Sequence, residues 1–153
     1  MSRVSDIFDA MLVRLQTTLP ANLGWSRLIN AYVIEENPIH FLEQGYGIAF
    51  ADGVNLQTVQ SSKIAMQRNM RILLSRKVYA TELDVEAFDS ATKQLLEDTR
   101  TVVSDFEQNV SLGGQQMNVQ FISDSGVQFV SAETDSFIYL ELSFTVRYFE
   151  QLI

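Results

Sequence analysis

From Phe137 to Phe149, Ile138, Leu140, Leu142, Phe144, Val146 and Tyr148 fall on one parity, and Glu141, Ser143, Thr145 and Arg147 fall on the other. A period of two marks an extended strand, because successive side chains leave opposite faces of the pleat. The pattern predicts one face in a core and the other toward water or a partner. At roughly 3.3 Å per residue this stretch spans roughly 43 Å, over twice the length of a usual strand of about 5–6 residues. Such a strand has to curl with its sheet or reach beyond the domain.

A long half-apolar strand needs cover, and two stretches offer it. Val4, Ile7, Phe8, Met11, Leu12, Leu15 and Leu19 recur at helical spacing, with Ser2 placed to cap the start and Pro20 to stop the helix. Val85, Phe88, Leu95, Leu96, Val102, Val103 and Phe106 form a second stripe, capped by Thr81 or Asp84 and closed by Gly113-Gly114. Between them Leu28 to Ile34 reads as a strand or a helical turn, broken at Asn37-Pro38. Gly45 to Phe50 alternates as a strand whose glycines allow close backbone approach, and Asp52-Gly53 is a turn signal.

Ile64, Met66, Met70, Ile72 and Leu74 share a parity that Arg68 interrupts. They predict a long strand ending near Tyr79, with a bend or edge position at Arg68. Past the second helix, Met117, Val119 and Phe121 alternate, Asp124-Ser125-Gly126 is expected to turn the chain, and Val127 to Val130 forms another short strand. The order helix, strands, helix, strands points to an α+β fold: a mainly antiparallel, curved sheet with two helices packed on one face. Residues 1–153 are expected to form a single domain.

Composition narrows the function classes. Apolar residues make up 46% and charged residues 20%, a globular balance. No stretch approaches the roughly 18–20 apolar residues of a membrane span. With Cys 0 there is no disulfide, thiolate nucleophile or Cys-ligated zinc. No apolar run follows Met1 to Asp6, so a secretory signal is not expected and a cytoplasmic origin is. The net charge of −8 opposes free binding to nucleic-acid phosphates.

That charge is unevenly divided. Gly53 to Thr81 holds Lys63, Arg68, Arg71, Arg76 and Lys77 and no acid, whereas Glu82 to Glu107 holds eight acids against Lys93 and Arg100. On one reading the two segments neutralise each other within a molecule. On the other they steer copies together, with Lys63, Arg68, Arg71, Arg76 or Lys77 facing Glu86, Asp89, Glu97 or Asp98 of an adjacent subunit.

Sites for chemistry are scarce. His40 lies near Glu35, Glu36 and Glu43, but with no second His and no Cys it lacks the three or four ligands of a zinc site. Gly45-Tyr46-Gly47 lacks the third glycine and the following helix of a dinucleotide loop, and no P-loop sequence occurs. Asp124, Glu133 and Asp135 lack calcium-loop spacing. Trp25 reads as an interface anchor or as a cap on the end of a core. The sequence therefore predicts no catalytic, metal or cofactor-binding residue and no enzyme activity.

The layout resembles the tail-terminator proteins of tailed bacteriophages. The likeness lies in an amphipathic N-terminal helix, a glycine-containing middle strand, a long strand with basic positions, a second helix, and a closing strand ending Phe144-Thr145-Val146-Arg147-Tyr148-Phe149-Glu150. It is one of order and texture, without a short diagnostic motif. It implies a protomer of a homohexameric ring in the virion, made in the host cytoplasm, that caps the tail tube and meets the head connector. Its partners would be further copies, the tail tube protein and the head–tail connector, with DNA only passing through the channel and no membrane contact. A neck or head-completion ring of different symmetry shares the same look. From a different class, a small-molecule binder or enzyme on a helix-plus-curved-sheet cone is the alternative, encouraged by Arg68 on an apolar parity.

Overall fold

The computed structural model describes residues 4–28, 44–60, 63–79, 85–108, 117–132 and 135–151. Along the chain these form α1 (Val4–Thr18), a 3-10 turn (Ala21–Leu23), β1 (Ser26–Arg27), β2 (Gln44–Gln60), β3 (Lys63–Val78), α2 (Val85–Gln108), β4 (Met117–Asp124), β5 (Gln128–Ala132) and β6 (Asp135–Gln151). The fold is α+β. Its sheet runs β1-β2-β3-β6-β4, with β5 also on β6, and every pairing except the short parallel β1–β2 is antiparallel.

The alternation at 137–149 sets the centre of this sheet. β6 is 17 residues long and pairs with β3 along its whole length, from Val78↔Ser136 to Lys63↔Gln151. Ile138, Leu140, Leu142, Phe144, Val146 and Tyr148 are all buried, beside Met70, Ile72 and Leu74 of β3. Ile7, Met11 and Leu15 of α1 and Ala91, Leu95, Val102 and Phe106 of α2 join the same cluster. Both helices thus cover one face of the sheet. Arg14 and Asp105 tie them together, and that hydrogen bond holds the guanidinium above its ordinary pKa. The first main-chain N–H of α1 is received by Glu150 from the end of β6, at 3.1 Å, where the helix dipole favours an acid. Ser2, Thr81, Asp84 and Gly113-Gly114 lie outside the described residues, as do Asn37-Pro38 and most of Leu28 to Ile34.

Several local expectations are corrected. Asp52-Gly53 is no chain reversal: β2 continues through it as a bulge, with a register shift on β3 between Phe50 and Gly53. Asp124-Ser125-Gly126 does not reverse the chain either. β4 and β5 both run antiparallel to β6 along the same side, so the three residues interrupt one long edge. Gly126 takes φ +75 there, and Asp124 Oδ1 accepts its N–H. In α2, Val85 and Leu96 are exposed, and Ala91 and Thr99 take the buried positions instead. The Thr99 hydroxyl is buried at no loss because it donates to the Leu95 carbonyl.

The opposite sheet face carries a smaller cluster of Leu28, Leu73 and Phe137. Here a glycine is required: a Cβ on Gly45 would come within 2.8 Å of both Leu28 Cδ2 and Ser75 Oγ. Leu28 itself is held by its N–H to the Tyr46 carbonyl.

Candidate assembly surface

Among the described residues, the basic and acidic segments meet within the chain at one ion pair. Arg76 chelates Asp98 of α2 through Nε and Nη2, the latter at 3.0 Å, with the two side chains only 19% and 14% exposed. Its guanidinium also stacks over Trp25, 5.3 Å from the ring centroid, so the tryptophan closes the end of the core. The expectation that Arg76 and Asp98 meet across a subunit boundary is corrected accordingly. A shielded two-bond pair leaves little of either charge for a neighbour. Lys77 lies 3.3 Å from Asp135, and Arg71 lies 3.8 Å from Glu141, both on the sheet face away from the helices.

Arg68 has no carboxylate partner among the described residues. Its Nη1 donates to the Ala51 carbonyl at 2.9 Å and its Nε to the Tyr148 hydroxyl at 3.1 Å. Gly53 lies opposite in register, and a Cβ there would come within 2.8 Å of the guanidinium. The bend expected at Arg68 is therefore realised on the facing strand. The arginine fills the space the bulge opens and satisfies the carbonyl that the bulge frees.

Lys63 stands apart from its sequence neighbours. It lies over the Phe149 ring at 4.4 Å with no acid in range among the described residues. Arg147, two residues before Phe149 on the same face of β6, donates to Gln67 Oε1 at 3.1 Å and has no ion-pair partner among the described residues. Lys63, Arg147, Phe149, Leu56, Ala65 and Asn118 line an open groove of about 600 Å³ at the far end of β2, β3 and β6, where Lys63, Ala65, Arg147 and Phe149 share the sheet face away from the helices. Val54, Leu56 and Phe149 are exposed there. Sequence reasoning missed Arg147 and this groove. The alternation had placed Arg147 on the outer face, but the register that sets it beside Asn118 and Gln67 is a tertiary fact.

The remaining acids lie at the other end of the sheet. Phe88 of α2 packs on Phe129 of β5, with centroids 5.4 Å apart, and Phe129 is paired with Ile138 near the start of β6. Glu86 and Asp89 flank Phe88 and are exposed, without an ion-pair partner among the described residues. Val85 and Phe129 beside them are 70% and 54% exposed. Glu97 makes only a loose 3.9 Å contact with Arg100, one turn along the helix.

Among the described residues, no three His, Asp or Glu side chains are grouped to hold a metal ion, and no helix is long and apolar enough to cross a membrane. His40, Glu35, Glu36, Glu43 and Glu133 lie outside those residues. No known family model matches the chain, and no curated protein matches it in sequence.

Proposed function

We propose that the chain is a structural subunit that assembles with copies of itself into a ring, in the manner the resemblance to phage tail-terminator proteins implies. The observation that carries this reading is the bare apolar surface at the far end of the long strands. β2, β3 and β6 are 17, 16 and 17 residues long, and at their shared far end Val54, Leu56 and Phe149 are exposed, with Val54 and Phe149 on the sheet face away from the helices. A lone domain gains nothing by building apolar strand it leaves in water, whereas a subunit buries it against a neighbour. A ring requires two different surfaces on each copy, and the two sheet ends differ in charge.

In this reading the chain performs no chemistry. The ring sits in the virion on the finished tail tube, stops its growth and presents a surface to the head connector, while DNA passes through its channel without specific binding. The acidic net charge of −8 suits such a wall, which must not retain phosphates. Arg68, the residue that most encouraged a small-molecule site, is engaged by Ala51 and Tyr148 and supports a structural role instead.

The test is particle mass by sedimentation, followed by electron microscopy of the purified protein alone and with tail tubes. The expected result is a closed ring, seen free or on the tube end. A monomer at every concentration that also leaves tube ends bare overturns the reading.

A further inference from the structure

We infer that the groove at the far end of β2, β3 and β6 receives the N-terminal end of α2 from a second copy of this chain. The inference rests on the self-assembly reading and names the two surfaces that meet. Two cations, Lys63 and Arg147, border the groove without acidic partners among the described residues, around the exposed apolar surface of Leu56 and Phe149. The first turns of α2 present the converse: Glu86 and Asp89, without an ion-pair partner among the described residues, beside the exposed Val85 and Phe129.

The other expected cations, Arg68, Arg71, Arg76 and Lys77, are already held by groups of their own chain. Among the described residues, one exposed apolar surface is thus bordered by positive charge and another by negative charge. Along β6 the two are separated by the eleven steps from Ile138 to Phe149, roughly 36 Å. At that separation they cannot meet within one copy. Between copies they form a heterologous contact, which closes into a ring when each step carries the right rotation. Charge then sets which ends meet, and the apolar surface supplies adhesion.

The experiment is a charge exchange. One variant carries Lys63→Glu and Arg147→Glu, the other Glu86→Lys and Asp89→Lys. Each alone sets like charges against each other at every contact, and the concentration for half-assembly should rise roughly tenfold or more. An equimolar mixture should restore assembly, because the reversed groove of one variant accepts the reversed helix end of the other. Thermal melts confirm that each variant is folded, and a chain carrying all four substitutions should assemble alone. If both variants assemble like the wild type, the contact lies elsewhere while self-assembly stands. If the groove variant assembles normally but loses affinity for a DNA duplex that the wild type binds, the groove serves a polyanion and the inference fails. If the wild type itself never assembles, both readings fall together.

Discussion

Nη1 of Arg68 donates a 2.9 Å hydrogen bond to the Ala51 carbonyl across the bulge where β2 changes register on β3. The contact makes an interruption of the apolar pattern into a brace for the far half of the sheet. Arg68→Met keeps the side-chain bulk but leaves Ala51 and Tyr148 without their donor. Stability in urea should fall by about 1–3 kcal/mol. Hydrogen exchange should quicken at the amides of residues 53–69 more than in 70–78. Uniform protection across β3 would show that the brace is dispensable. Arg68→Lys should rescue only in part, because an ammonium lacks the planar fork that reaches both acceptors.

Leu142 is fully buried on β6, opposite Ile72. Leu142→Ala removes packing at the centre of the sheet and should lower stability by about 2–5 kcal/mol. The same substitution at Leu56, which is half exposed at the far end, should cost less than about 1 kcal/mol in the isolated chain. Denaturant melts at low concentration, where copies are apart, make the comparison. Equal losses would place Leu56 in the monomer core.

Arg76 and Asp98 form a shielded two-bond pair. A double-mutant cycle with Arg76→Met and Asp98→Asn should return a coupling of about 1–2 kcal/mol. The longer, exposed Arg71–Glu141 contact should return less than about 0.5 kcal/mol. A coupling for Arg76–Asp98 as small as that of the exposed pair would mean solvent reaches it freely.

Ser75 Oγ is fully buried with no hydrogen-bond partner among the described residues. An unmet hydroxyl costs desolvation without return, so Ser75→Ala should raise stability by up to about 1 kcal/mol, read as a higher melting temperature. Ser75→Val should reverse the gain, because the added methyls meet Leu28 against Gly45. A loss in Ser75→Ala would mean that the hydroxyl is satisfied in solution.

The sequence by itself determined what depends on local periodicity. The parity of Ile138 to Tyr148 and the stripe Ile7, Met11, Leu15 decided which faces are buried, since a strand repeats every two residues and a helix every 3.6. Pro20 ended α1 near Thr18 for an equally local reason, the missing N–H. Asp52-Gly53 and Asp124-Ser125-Gly126 misled because the same residues suit a turn and a bulge, and only the facing strand decides between them.

Charge was the hardest to read. The block of cations on β3 looks uniform in sequence, but alternation sends Arg76 to the helix face and Lys77 to the other, each to its own acid. Polar partners are chosen by distance in space, to which sequence separation is no guide: the ion pair of Arg76 and Asp98 joins residues 22 positions apart, the hydrogen bond of Arg68 and Tyr148 residues 80 apart. Only the tertiary structure, through the register of β3 on β6, decided that Lys63 and Arg147 keep their charges beside exposed apolar surface, where a second copy can use them.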